Sequence, residues 1–188
     1  MIKNIAIVSL SSGTLGEDFA KHEVNIGVKR LKDFGMNVTF MPHALKGIEY
    51  VKKHPAERAA DLLQALKEPD IDMILCAIGG DDTYRLLPYL FEQHELTEAV
   101  SDKIFLGFSD TTINHFMLHK VGMKTFYGQS FLADICELDK TMLPYTQKYF
   151  EELISTGTIK EVCPSDVWYE GRTDFSIAQI DTPLTSHP

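Results

Sequence analysis

A doubly wound α/β domain is the fold class that this sequence predicts, and three observations predict it. Short apolar runs alternate with stretches of helical spacing along most of the 188 residues. The runs are apolar throughout rather than at every second position, as in strands covered on both faces. Three of them end in turns rich in glycine and serine: Ser11-Ser12-Gly13, Gly79-Gly80-Asp81 and Gly107-Phe108-Ser109-Asp110. Right-handed crossovers between such strands give a mainly parallel sheet with helices on both faces. Ligands of these folds sit beyond the carboxyl ends of the strands, where the three turns would gather.

The elements follow in order. Residues 4–10 read as a strand. Over 17–34, Ala20, Val24, Gly27, Val28, Leu31 and Phe34 fall at helical spacing, and Gly35 stands where a stop belongs. Residues 37–41 form the next strand, closed by Pro42. Pro55 opens a helix carrying Ala56, Ala59, Leu63 and Leu66, and Glu68-Pro69-Asp70 breaks it. Residues 72–78 are a strand, and 83–91 a helix that Pro88 would kink or shorten. Residues 103–106 are the fourth strand, 111–121 a helix stopped at Gly122, and 124–127 a short fifth strand. A last helix spans 141–155, with Thr141 as N-cap and Gly157 just past its end. Residues 1–163 form the α/β domain. From 164 to 188 no helical period survives, Pro164, Pro183 and Pro188 interrupt, and the stretch reads as a linker.

Composition narrows the function. The chain is 44% hydrophobic and 24% charged, with a formal net charge of −9. An acidic surface repels phosphate backbones and offers no basic patch to an anionic membrane. The apolar run 5–8 is too short for a signal-peptide core or a membrane span, so a cytoplasmic location is expected. Cys76, Cys136 and Cys163 are odd in number and widely spaced, which fits neither a disulfide framework nor a zinc site.

Ser109 carries the sharpest chemical signal. It lies at a strand-to-helix turn two residues after Gly107, and the amide of Asp110 opens the helix beside it. Such a turn exposes a hydroxyl at the sheet edge and supplies part of an oxyanion hole. The full nucleophile elbow is absent, because Thr111 stands where its last glycine would be. On spacing alone, capping of the helix by Ser109 or Asp110 is the commoner role for such residues. Gly79-Gly80 admits close approach of a ligand to backbone amides, and is equally an ordinary tight turn.

The ordered series Ala77-Ile78-Gly79-Gly80, Arg85-Leu86-Leu87-Pro88-Tyr89-Leu90, Gly107-Phe108-Ser109-Asp110-Thr111-Thr112 and Thr125-Phe126-Tyr127-Gly128 resembles the serine LD-carboxypeptidase family. Upstream, Glu57-Arg58-Ala59-Ala60-Asp61-Leu62 resembles that family's Arg-Ala-x-x-Leu helix. The similarity runs from about residue 4 to 170, and the Phe-Tyr-Gly element resembles the microcin C immunity branch. The resemblance implies a flavodoxin-like N-terminal domain, with Ser109 as nucleophile and the Gly80 and Asp110 amides as oxyanion donors. Gly79 and Asp81 would line the substrate site. It implies hydrolysis of an amide bond near a free carboxylate, through an acyl-enzyme and without metal or other cofactor. The substrate would be a small peptide, either a murein peptide or a peptidyl nucleotide. Intact members are expected to be homodimers.

One departure matters. The family's catalytic Glu and His belong to a C-terminal domain and have no counterpart here, so these 188 residues are expected to be inactive alone. His115 and His119, four apart, are expected on the surface or at the core edge, with His115 pointing away from the serine. Gly79-Gly80-Asp81-Asp82-Thr83 also resembles the glycine-rich loop of NAD and lipid kinases, although Asp82 adds negative charge where phosphate needs room. A nucleotide-dependent kinase, or a non-catalytic binding remnant, is the alternative. Arg85 is expected to bind a substrate carboxylate or pair with an acid such as Asp81. Trp168 and Tyr169 are expected to pack the end of the sheet.

Overall fold

The computed structural model describes residues 2–188. Five parallel strands form its sheet: β1 (Asn4–Val8), β2 (Asn37–Phe40), β3 (Met73–Cys76), β4 (Ile104–Gly107) and β5 (Phe126–Tyr127), in the order β2-β1-β3-β4-β5. The inner strands β1, β3 and β4 are almost wholly apolar because both faces are covered. The edge strands depart from the expected pattern: β2 alternates, with Asn37 and Thr39 exposed, and Tyr127 of β5 is exposed. Ile5 and Ile7 point to one face and Ala6 and Val8 to the other, and all four are fully buried. On the first face, Met73, Leu75 and Leu106 join Phe131 and the Phe150–Ile154 side of the last helix. On the second, Ile74, Cys76 and Phe105 pack beneath Ala59, Leu62, Leu66 and Leu118.

Among the described residues, seven α-helices connect and cover the sheet: α1 (Lys21–Asp33), α2 (Ile48–Lys53), α3 (Pro55–Lys67), α4 (Leu87–Phe91), α5 (Glu95–Ala99), α6 (Thr112–Lys120) and α7 (Pro144–Thr156). The doubly wound class stands as the sequence has it. The short helices α2 and α5 were not expected, and helix starts differ in four places. The first is α1, which begins at Lys21 after 3-10 turns at Thr14–Gly16 and Asp18–Ala20 rather than at 17. Residues 83–86 wind as a 3-10 turn, and Pro88 sits in the first turn of α4 rather than kinking a longer helix. There its missing N–H costs nothing. Residues 109–111 are also a 3-10 turn, so α6 begins at Thr112. Helix α7 begins at Pro144 rather than after Thr141, for the same proline reason. Its C-terminus is the expected one: Gly157 takes φ +75°, a left-handed cap that glycine adopts without strain.

Strand β1 has β2 on one side and β3 on the other, so the chain switches direction across the sheet between β1 and β3. A crevice opens at such a point, outside the carboxyl ends of the strands. The loops after β1, β3 and β4 meet there. Residues 164–188 carry a small antiparallel pair, β6 (Trp168–Tyr169) and β7 (Ser186–His187). This stretch packs back on the domain through few contacts. The Asp181 amide donates to the Leu138 carbonyl (2.8 Å), and Arg172 pairs with Glu137. Trp168 does not pack the sheet end, as the sequence led one to expect. It is exposed and stacks on His187, with ring centroids 4.4 Å apart. No helix among the described residues is long and apolar enough to cross a membrane.

Candidate active site

Strand β4 delivers Ser109 to the crevice. Gly107 ends the strand where a side chain could not fit: a Cβ there would lie 2.8 Å from both Cys76 Sγ and Thr111 Oγ1. Its carbonyl accepts from the Gly128 amide (3.0 Å) and faces His115 Nε2 (3.1 Å), which anchors the end of the strand twice. The chain then turns sharply. Ser109 has φ +59°, the left-handed region that costs a residue with a Cβ about 1 kcal/mol. Its side chain is exposed, and its own amide donates to the Tyr127 hydroxyl (3.1 Å). Neither the 3-10 turn nor α6 has a side-chain N-cap. The Asp110 carboxylate goes elsewhere, so helix capping is not what Ser109 and Asp110 do here.

Asp110 instead reaches across the crevice. One carboxylate oxygen accepts from the Ser11 hydroxyl on the β1 loop and from the Thr83 amide (2.9 Å) on the β3 loop. Thr83 Oγ1 in turn donates to the Leu10 carbonyl (3.0 Å) and lies 3.0 Å from Asn114 Oδ1, which is fully buried. Three loops are thereby stitched together at one carboxylate.

The two glycines of the β3 loop differ in their neighbours. A Cβ on Gly79 would sit 3.0 Å from Ser109 Oγ and 3.5 Å from the Asp110 amide nitrogen. On Gly80 it would sit 2.2 Å from Ser11 Oγ. Gly79 is thus the residue in direct contact with the serine, and Gly80 is wedged against the β1 loop. Among the described residues, neither the Gly80 amide nor the Asp110 amide has a hydrogen-bond partner. Asp81 is exposed at the rim.

The titratable groups nearby are held in defined states. His115 is buried and turned back toward β4, directly beneath the elbow rather than away from it. Helical side chains lean toward the N-terminus of their helix, which spacing alone did not convey. Because its Nε2 faces a carbonyl, that nitrogen carries the proton. Burial pushes the imidazole pKa down, and the bare Nδ1 has no partner. His115 braces Gly107 and is not aimed at the Ser109 hydroxyl. Cys76, beneath the same turn, is wholly buried and its thiol is pushed up to about 12, which leaves it protonated at neutral pH. Although burial opposes it, bonds from Arg58 and Arg85 hold the Asp82 carboxyl below its ordinary value. Arg85 therefore pairs with Asp82 (3.1 Å) rather than Asp81.

This arrangement has counterparts. The sequence profile of the LD-carboxypeptidase N-terminal domain matches residues 5–128. The chain belongs to the LD-carboxypeptidase family. An MccF-like protein from Streptococcus pneumoniae, solved in complex with AMP, is 66% identical with a TM-score of 0.99, covering 100% of this chain and 55% of that one. YocD of Bacillus subtilis (strain 168), which carries a carboxypeptidase name, is 30% identical over 170 residues, 89% of this chain and 50% of its own. The microcin C7 self-immunity protein MccF of Escherichia coli is 37% identical over 82 residues, 43% of this chain and 23% of its own. The chain thus spans about half the length, or less, of the LD-carboxypeptidase relatives it matches.

The fold brings together Ser109, Asp110, Gly79 and Gly80, and the Ser11 turn joins them as the sequence led one to expect. The sequence did not single out Thr83, Asn114 and Tyr127 as their neighbours. The available signal was polarity out of place. Thr83 and Asn114 are polar yet buried, and a buried polar group needs a partner.

Proposed function

We propose that this chain is the nucleophile-bearing part of a serine carboxypeptidase of the LD-carboxypeptidase and microcin-immunity type. Ser109 attacks a peptide carbonyl near a free carboxylate and forms an acyl-enzyme that water then releases. The observation that carries this reading is an exposed hydroxyl on a positive-φ turn, packed against Gly79 and followed by an Asp110 amide that has no partner among the described residues. The Gly80 and Asp110 amides receive the negative charge that develops on the carbonyl oxygen, an arrangement already paid for in the folding of the loops. Tyr127 accepts the Ser109 amide and thereby fixes the orientation of the turn.

Ser109 needs a base, since a serine hydroxyl is a poor nucleophile with its proton in place. His115 does not serve, being committed to Gly107. In this reading, the base and its orienting carboxylate come from a segment beyond residue 188, and the chain is inactive without them. Substrates are small: a murein peptide, or a peptidyl nucleotide. The second is favoured by the AMP complex of the pneumococcal relative and by the microcin-immunity name of the Escherichia coli one. The intact protein works in the cytoplasm as a homodimer.

The test joins residues 1–188 to the remaining part of the pneumococcal relative and adds a fluorophosphonate. Mass spectrometry should find the adduct on Ser109, with labelling of Ser109→Ala slowed at least ~10³-fold. An adduct on another residue, or equal labelling of the alanine variant, defeats the proposal.

A further inference from the structure

A guanidinium withdrawn from water needs partners, and where its bonds go shows what it holds. Both Nη atoms of Arg58 have acceptors, while its Nε is buried without one among the described residues. Arg58 is only 1% exposed. It stands on α3, where Ala59, Leu62, Ala65 and Leu66 are apolar core and Asp61, bonded to His43, is the other buried charged residue. From there it reaches two loops of the crevice. Nη1 donates toward the carbonyls of Leu10 (3.0 Å) and Ser11 (3.2 Å) on the β1 loop, and toward Asp82 Oδ1 (2.7 Å) on the β3 loop. Nη2 lies 3.5 Å from Asp82 Oδ2, which also accepts from Arg85.

We propose that Arg58 is a positioning residue for the Ser109 site, setting where the Gly80 amide lies relative to the Asp110 amide. The catalytic consequence rests on the serine-peptidase reading above. Gly80 has no room of its own, because its backbone is pressed against Ser11. Ser11 is fixed at its carbonyl by Arg58 and at its hydroxyl by Asp110. Three residues on, Thr83 is fixed by Asp110, immediately after the Asp82 that Arg58 grips. Gly80 is thus spanned between two anchors that share one guanidinium. Arg58 touches neither Ser109 nor either free amide, so it acts only through the loops. Lysine is a point charge without the planar fork and can serve only part of this set.

The experiment has two arms. The first records amide NMR shifts of the 188-residue chain as wild type, Arg58→Met, Arg58→Lys and Asp82→Asn. Displacement of the Gly80 and Asp110 resonances is expected in Arg58→Met, smaller in the other two, with β2 and α7 resonances unmoved. The second measures fluorophosphonate labelling of Ser109 in the joined protein. The maximal rate should fall on the order of 10- to 100-fold in Arg58→Met, as for a misplaced catalytic group. The half-saturating probe concentration should stay within about twofold, and Arg58→Lys should recover part of the rate. Unmoved Gly80 and Asp110 amides, or an unchanged maximal rate in variants that fold, overturn the proposal. Should Arg58→Met fail to fold, Asp82→Asn and Arg58→Lys carry both arms. A wild type that never labels, with the amides still displaced in Arg58→Met, sinks the serine reading and leaves the clamp supported.

Discussion

At the carboxyl ends of β1, β3 and β4, buried polar side chains find partners across three loops. Over residues 164–188, apolar side chains lie in the open: Trp168, Phe175 and Ile177 are each more than half exposed. The first region is bound by contacts between residues far apart in the chain, such as Ser11 with Asp110 and Arg58 with Asp82. The second is held mainly at Arg172, whose side chain and its partner Glu137 are both buried. The difference teaches where rigidity is needed. In the proposed serine-peptidase reading, a transition-state oxygen is stabilised by donors already in place, which is the rigidity that the bonds between the three loops supply. Nothing among the described residues asks the same of the final stretch.

The comparison breaks first at Asp82. Asp82→Asn should lower stability at neutral pH by about 2 kcal/mol, the usual worth of hydrogen bonds to a charged group. The pH dependence has a definite sign. The Asp82 pKa is lower in the folded protein than its ordinary 3.8, so its contribution is fully present above that value. It is lost as pH falls through the folded pKa. Urea titrations of wild type and Asp82→Asn should therefore stay apart from neutrality down to the carboxylate range and converge below it. Curves that keep a constant gap into strong acid would show that the arginines do not hold Asp82 charged.

A smaller effect sharpens the picture of the nucleophile turn. Ser109→Gly relieves the left-handed strain that Ser109→Ala keeps, and both remove the hydroxyl. The glycine variant should unfold about 1 kcal/mol later than the alanine variant, with neither labelled by phosphonate. Equal denaturation midpoints would mean that the turn stores no strain.

The smallest effect belongs to the final stretch. Arg172→Ala should admit protease between residues 164 and 188 while global stability changes by only about 0.5 kcal/mol, as for a unit that opens locally. A large global loss would show the two regions to be one cooperative unit.

The sheet was legible in the sequence because a parallel strand buried on both faces must be apolar at every position, as 5–8 and 73–76 are. Helix bodies were legible from spacing, and Gly157 from its place after the last turn. Helix starts were not, because whether residues 83–86 and 109–111 wind as 3-10 or α depends on bonds from outside those segments. Ser109 was legible as a turn residue after a glycine-ended strand. The network that surrounds it was not. Ser11 and Asp110 stand 99 residues apart, and no local pattern shows that a serine hydroxyl donates to an aspartate at that distance. Arg58 was legible as part of a motif, but its task shows only when the carbonyls of Leu10 and Ser11 are seen above it.

One measurement bears on the centre of the account: a crystal structure of the phosphonylated protein, chain and complementary half together. The account places a phosphonyl oxygen within about 3 Å of both the Gly80 and Asp110 amide nitrogens, with phosphorus bonded to Ser109 Oγ. An adduct whose oxygens face solvent, or are held by other donors while those two amides stay free, would contradict it.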